Sequence, residues 1–178
     1  MSENPFAPPA AAVQDMQPPP ASLAPTPWFA ISTTKLLVMT LCTLSLYEIY
    51  WFYRQWAAVK LREQSDVLPA ARAIFPVFFC YSLFAKVRGR GAAGLAAGPL
   101  ATGWIITALL WRAPGAIGMI PLAGVLFLLP VQSAMNNQNE VSVPGHEPNA
   151  RFTLWNWLAI VPGGLLLVLA LIGVAVEK

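Results

Sequence analysis

The chain has 178 residues, of which 57% are hydrophobic and 11% are charged, and its formal net charge is +3. Soluble domains carry about a quarter charged residues, so this composition leaves too few charges to cover a soluble core. The basic residues gather between Arg54 and Arg90. Nucleic-acid binding needs basic residues interleaved with exposed aromatic residues on a soluble face, whereas Trp and Tyr here stand at the ends of apolar runs, which argues against nucleic acid as a partner.

Residues 1–30 are rich in proline and alanine. Eight prolines and two acids, but no Lys or Arg, precede Trp28. Such a segment cannot build a core and lacks the positive start of a secretory signal. We predict a disordered tail with polyproline character. Docking of Pro5–Pro8 onto an aromatic groove is the functional alternative.

Long apolar stretches dominate the helical membrane domain that we assign to residues 31–178, and their one charged residue is Glu48. A bilayer core about 30 Å thick is crossed by roughly 20 helical residues. We therefore predict an all-α fold: an integral membrane helical bundle with about four transmembrane helices. The predicted spans lie near residues 36–53, 92–111, 116–134 and 154–176.

The first predicted span ends in a belt of aromatic rings that runs from Tyr47 to Trp56, with Glu48 and Arg54 among them. Amphipathic rings and arginine are typical of the headgroup level. An acid inside a span is a functional candidate. Here Arg54 or Arg72 could neutralise Glu48 in a structural ion pair, and a proton or ion site is the alternative.

The apolar segment 74–85 is too short to cross, because twelve helical residues span about 18 Å. We predict one short interfacial or re-entrant helix here. If it does not cross, all basic residues from Arg54 to Arg90 share one side, which the positive-inside rule makes cytoplasmic, with both termini outside. If it crosses, the basic residues are divided between the two sides.

Glycines open the next predicted span. Gly89–Gly94 formally matches a dinucleotide-binding pattern, but no strand precedes it, so we predict helix packing through Gly94 and Gly98 instead. Arg112–Gly115 predicts a tight turn, which makes residues 92–134 a helical hairpin.

A polar segment follows the third predicted span. Gln132, Asn136 and Asn139 fall on one helical face by their spacing of three and four residues. This face could pin helix ends together by hydrogen bonds, receive a lipid headgroup, or be a solvated helix end. Together with Glu48, Arg54 and Arg72, these three residues form the candidate polar and lipid-contact cluster at the membrane interface.

No catalytic or metal-binding set is evident in the sequence. The two cysteines lie inside apolar runs, and the single histidine, His146, is expected to be an exposed loop imidazole. We therefore predict no cofactor, no metal site and no enzymatic activity.

Several segments resemble a family of small, uncharacterised bacterial inner-membrane proteins classed under a domain of unknown function. The most specific is the Tyr-x-x-Tyr-Trp-Phe-Tyr run at residues 47–53, and Arg72-Ala73-Ile74-Phe75 is similar too. The resemblance covers nearly everything after the tail. It implies a multi-pass protein of the bacterial inner membrane and supplies no activity, ligand or site residues.

The leading functional hypothesis is a non-enzymatic accessory or scaffold protein. Its basic, aromatic cytoplasmic face would contact anionic membrane lipid, a protein partner or a second copy of the chain. The alternative is a small transporter or channel subunit that uses Glu48 and the helices broken by proline and glycine.

Overall fold

The computed structural model describes residues 26–176, and all regular secondary structure in that range is helical, which confirms the all-α prediction. The disordered tail predicted over residues 1–30 falls, up to residue 25, outside the described residues. The helices are α1 (Thr33–Cys42), α2 (Leu46–Glu63), α3 (Pro69–Ile74), α4 (Pro76–Gly89), α5 (Ala97–Leu109), α6 (Val125–Ser142) and α7 (Leu154–Val176), with 3-10 segments at Leu110–Arg112 and Gly115–Gly124.

The prediction of one continuous helix over 36–53 is wrong, because the chain reverses between α1 and α2. Leu44 and Ser45 both have positive φ, at 50° and 69°, and two left-handed residues in succession end a helix. The hydroxyl of Thr43 stabilises the break, since it donates to the Met39 carbonyl at 2.7 Å and accepts from the Tyr47 N–H at 2.9 Å. The α2 helix therefore runs back toward the start of α1.

The short helix predicted at 74–85 corresponds to α4, which begins after a break at Phe75. Pro76 lacks a backbone N–H, so α3 ends at Ile74 and α4 begins at Pro76. The Lys86 ammonium lies 2.7 Å from the Glu63 carboxylate. The end of α4 is therefore beside the end of α2.

The predicted hairpin of residues 92–134 is present, with two differences in detail. Its first helix begins at Ala97 rather than at 92. The predicted packing through Gly94 and Gly98 is wrong, because a Cβ at either position would meet no atom within 4 Å. The close approach occurs instead at Gly103, where a Cβ would overlap the Phe127 ring.

Within residues 26–176, two helices are long and apolar enough to cross a membrane: Gly115–Ser142, formed by the second 3-10 segment and α6, and α7. They differ in packing. The first contributes buried residues such as Leu128 and Met135 to the core, whereas no residue of α7 is buried. The length and composition of these helices support the coarse prediction of a membrane protein but do not establish four spans.

The core is aromatic and lies between α1, α2, α4, α5 and α6. Trp51, Phe52 and Trp56 of α2 are fully buried at its centre, with Leu83 and Phe84 of α4. We use two terms for the ends of this bundle. The basic end holds Arg62, Lys86, Arg90 and Ser142, and the far end holds Cys42, Glu48, Trp104 and Gly124.

Candidate functional site

The chain enters the bundle through an irregular segment, residues 26–32, which we call the strap. Trp28 and Ile31 of the strap are fully buried although its backbone forms no helix. Buried backbone N–H and C=O groups must find hydrogen-bond partners, because leaving one unpaired costs about 1–3 kcal/mol. Within the strap, the Thr26 hydroxyl donates to the Trp28 carbonyl at 2.7 Å. Other backbone groups of the strap are paired by side chains from outside it.

Two amide side chains each hold both backbone groups of one strap residue. The Trp28 N–H donates to Asn139 Oδ1 at 2.9 Å, and Asn139 Nδ2 donates to the Trp28 carbonyl at 3.1 Å. Gln55 holds Phe29 in the same way, at 3.1 and 3.2 Å. Asn139 and Gln55 therefore each pair with the N–H and the carbonyl of one strap residue, as a neighbouring strand does in a β-sheet.

Further amides pair with the next strap residues. We call the whole set of side chains the cradle: Gln55, Gln132, Asn136, Asn139 and Asn149. Asn149 donates to the Ala30 carbonyl at 3.3 Å, and Asn136 donates to the Ile31 carbonyl at 2.9 Å. Gln132 joins the cradle to α2, because its Oε1 accepts from the Trp51 indole N–H at 2.7 Å and from Gln55 Nε2 at 3.1 Å. Gln132 Nε2 donates to Asn136 Oδ1 at 2.8 Å.

The structure thus brings Gln132, Asn136 and Asn139 together on one face of α6, as their spacing predicts. Their role differs from lipid contact. Gln132 and Asn139 have no exposed surface, so a headgroup cannot reach them. The arrangement favours the alternative in which hydrogen bonds pin elements together, and the element that they pin is the strap.

Glu48 lies apart from these three residues, at the far end. Its Oε2 accepts from the Trp104 indole N–H at 2.8 Å, and the side chain is 5% exposed. Among the described residues no Lys or Arg nitrogen lies within 4 Å of this carboxylate. The predicted ion pair with Arg54 or Arg72 is therefore wrong, and Glu48 instead ties α2 to α5.

Arg54 and Arg72 stack on aromatic rings. The Arg54 guanidinium lies 4.4 Å from the Phe29 ring centroid and donates to the Tyr50 hydroxyl at 2.8 Å. The Arg72 guanidinium lies 4.2 Å from the Trp56 ring centroid. A cation over an aromatic face gains about 0.5–2 kcal/mol. The two arginines therefore cover the aromatic core.

A half-open groove of about 800 Å³ lies at the basic end, between the strap, α2 and the segment after α6. We call it the arginine groove. Its charged lining residues are Arg54, Arg62, Arg90 and Glu147, so cations exceed acids by three to one. Its apolar wall includes Ala57, Ala58, Leu61 and Val143.

Arg62 is the most enclosed cation of the groove, with 17% of its side chain exposed. Its guanidinium donates to the Pro27 carbonyl at 2.6 Å and lies 4.3 Å from the Trp28 ring centroid. It also lies 3.2 Å from Glu63, which Lys86 contacts at 2.7 Å. One carboxylate is thus shared by two cations, and the Lys86 hydrogen bond lowers the pKa of Glu63.

Sequence reasoning missed Gln55, Asn149 and the pairing of Arg62 with Arg90. A glutamine among the aromatic residues of α2 was the available signal, since an amide within an apolar surface needs a partner. His146 is also not the exposed imidazole expected, because it is 8% exposed and its Nδ1 lies 3.2 Å from the Glu140 carboxylate.

The described residues bring together no group of three His, Cys, Asp or Glu side chains that could hold a metal ion. The chemistry that the arginine groove offers is recognition of an anion by guanidinium groups. No protein-family model matches the chain, and neither a curated protein nor a solved structure is significantly similar to it.

Proposed function

We propose that the protein is a non-enzymatic, multi-span membrane protein whose basic, aromatic end contacts anionic lipid headgroups. The observation that carries the proposal is α7, a 23-residue apolar helix with no buried residue. A helix that is apolar on all sides needs an apolar surrounding. Lipid supplies it, and a bacterial inner membrane is the setting that the resemblance of residues 47–53 implies.

The depth of the bundle follows from its contacts with α7. Lys35, at the start of α1, donates to the Arg151 carbonyl at 2.7 Å, just before α7 begins. Cys42, at the end of α1, touches Gly163 in the first half of α7. The α1 and α7 helices thus run in the same direction, and α1 ends about halfway along α7. The bundle core therefore occupies one leaflet.

We infer three crossings from this arrangement: α5 with its 3-10 extension, the segment Gly115–Ser142, and α7. The break after Cys42 removes the expected first span, so α1 and α2 form a hairpin that returns to the basic end. The positive-inside rule places that end in the cytoplasm. The strap starts there too, because Pro27 contacts Arg62. This differs from the expectation of both termini outside.

Single-cysteine labelling tests this topology in a variant whose native Cys42 and Cys80 are replaced. We expect Arg88→Cys and Pro144→Cys to be protected from an impermeant reagent added outside the cell. Ala116→Cys and Val176→Cys, also at exposed positions, are expected to react. Equal labelling of both groups would overturn the topology.

Lipid preference is tested with the purified chain in nanodiscs that contain mixed anionic and neutral lipid. We expect the anionic lipid to be enriched around the protein, and the enrichment to weaken as salt rises. If the lipid composition around the protein equals that of empty discs, the result would contradict the proposed function.

A second candidate function, a small transporter or channel subunit, has the support of one observation. The Oε1 atom of Glu48 is buried and has no hydrogen-bond partner among the described residues. An intramembrane carboxyl group with a free oxygen is suited to binding a proton or cation. Proteoliposome flux that is unchanged in Glu48→Gln would remove this candidate.

A further inference from the structure

The arginine groove carries more positive charge than its neighbours neutralise. Arg62 shares Glu63 with Lys86, so this group of three retains a net positive charge. Within residues 26–176 no carboxylate oxygen lies within 4 Å of Arg90. Burial lowers the pKa of Arg62, and the nearby Arg90 charge lowers it further. Arg62 and Arg90 both line the groove, and two cations that face one cavity favour an anion between them.

The groove stands where both candidate membrane helices reach the same surface. Ser142, the last residue of Gly115–Ser142, lines the groove. Asn149 also lines the groove, and α7 begins five residues later, at Leu154. An anion in the groove would therefore lie at the depth of the lipid phosphates. This placement rests on the proposed function.

The wall of the groove indicates the rest of the ligand. Ala57, Ala58 and Leu61 form an apolar strip along α2, and the Leu61 side chain is 81% exposed. A volume of about 800 Å³ far exceeds what one phosphate needs and is typical of sites for drug-sized ligands. An anionic group attached to an apolar body fits a groove with both kinds of wall.

We propose that the arginine groove binds one phosphate ester of an amphiphile, with the phosphate between Arg62 and Arg90 and the apolar part over Ala57 and Leu61. Guanidinium groups bind phosphate oxygens through paired N–H donors, which favours phosphate over a spherical anion. The same chemistry would accept a free phosphate, and the two sources are separated below.

The test measures stoichiometric binding to the full chain in an uncharged detergent, by native mass spectrometry and calorimetry. The ligands are short-chain phosphatidylglycerol, short-chain phosphatidylcholine and inorganic phosphate. We expect one saturable phosphatidylglycerol per chain. Its affinity should fall about tenfold in Arg90→Gln and further in Arg62→Gln/Arg90→Gln, since each substitution removes charged hydrogen bonds to the phosphate.

Lys60→Gln/Arg88→Gln is the matched control, because it removes the same charge from the basic end outside the groove lining. The Arg90→Gln variant is expected to fold normally, because Arg90 is exposed and its side chain makes no hydrogen bond within the described residues. A loss of binding in this variant therefore reports on the groove. Retained binding in the control and loss in both groove variants would support the site.

The other outcomes are distinct. If inorganic phosphate binds with the same affinity as phosphatidylglycerol, the result would support the phosphate site but overturn the role of the apolar wall. Equal losses in the groove and control double variants would indicate diffuse charge attraction, which overturns the groove and leaves the proposed function standing. No preference of the wild type for phosphatidylglycerol over phosphatidylcholine, together with no lipid enrichment in nanodiscs, would overturn both.

Discussion

The strap and α7 differ in how their backbones are hydrogen-bonded and in how far their side chains are buried. The strap, residues 26–32, has an irregular backbone that is buried in protein, and amides from α2, α6 and the loop before α7 satisfy it. The α7 helix satisfies its own backbone and buries none of its side chains. One region needs specific polar partners, and the other needs only an apolar surrounding.

The comparison explains where polar residues occur in an apolar chain. Non-helical backbone is tolerated at membrane depth only where protein or trapped water pairs with it. Gln55, Asn136 and Asn139 are therefore needed inside the bundle, whereas the described part of α7 contains one amide, Asn156, near its start. Four variants below test this contrast, from the largest expected effect to the smallest.

Leu165→Asp, at the middle of α7, should have the largest effect. Placing an acid at the centre of a membrane helix costs about 3 kcal/mol, whereas a change at an exposed site in water costs within about 0.5 kcal/mol. We expect a reporter enzyme fused after α7, active only outside the cytoplasm, to lose most of its activity. Val141→Asp, on the basic side, is the control and should keep it. Full activity in Leu165→Asp would contradict the prediction that Leu165 lies at the centre of the bilayer.

Gln132→Leu removes the residue that joins the cradle to α2. The Trp51 indole N–H would then be buried without an acceptor, which costs about 2 kcal/mol. We expect a lower melting temperature in detergent and faster proteolysis at the strap. The neighbouring Asn137→Leu, at an exposed position, should change neither. A Gln132→Leu protein as stable as the wild type would contradict the cradle.

Gly163→Ala tests a close contact between α7 and α1. An added Cβ would overlap the Cys42 carbonyl oxygen, and such overpacking costs roughly 1–2 kcal/mol. Gly173→Ala meets no atom within 4 Å and should not destabilise the protein, because alanine favours a helix. We expect reduced thermal stability in the first variant only. Equal stability of the two variants would contradict the close approach of Gly163 to Cys42.

Glu63→Gln should have the smallest effect, since exposed ion pairs contribute about 0.5 kcal/mol. The pKa of Glu63 is lowered below its ordinary value of 4.5, so its stabilisation is complete above that pH and is lost as the pH falls through the folded pKa. The wild type should therefore lose slightly more stability than Glu63→Gln on acidification below pH 4.5. Asp66→Asn, at an exposed site, serves as the control. If the stability of the wild type and of Glu63→Gln falls in parallel with pH, the result would contradict a Glu63 carboxylate shared by two cations.

The sequence predicted the helical hairpin at 92–134, the turn at Arg112–Gly115 and the shared face of Gln132, Asn136 and Asn139. These features depend on local signals: turn residues, apolar length and helical spacing. It failed at residues 36–53, because the break after Cys42 depends on two left-handed residues that are neither glycine nor asparagine. It failed for Glu48, because sequence proximity to Arg54 did not show that the carboxylate faces Trp104.

Composition and apolar length by themselves determined that this chain is helical and rich in segments suited to a bilayer, because each helix satisfies its own backbone wherever it lies. Only the tertiary structure decided which apolar segments are core and which are left uncovered. It also decided that Gln55 and Asn139 hold the strap, and that Arg62 and Arg90 face one groove. Pairing between residues distant in sequence depends on packing, and the pattern along a single helix does not specify its neighbour.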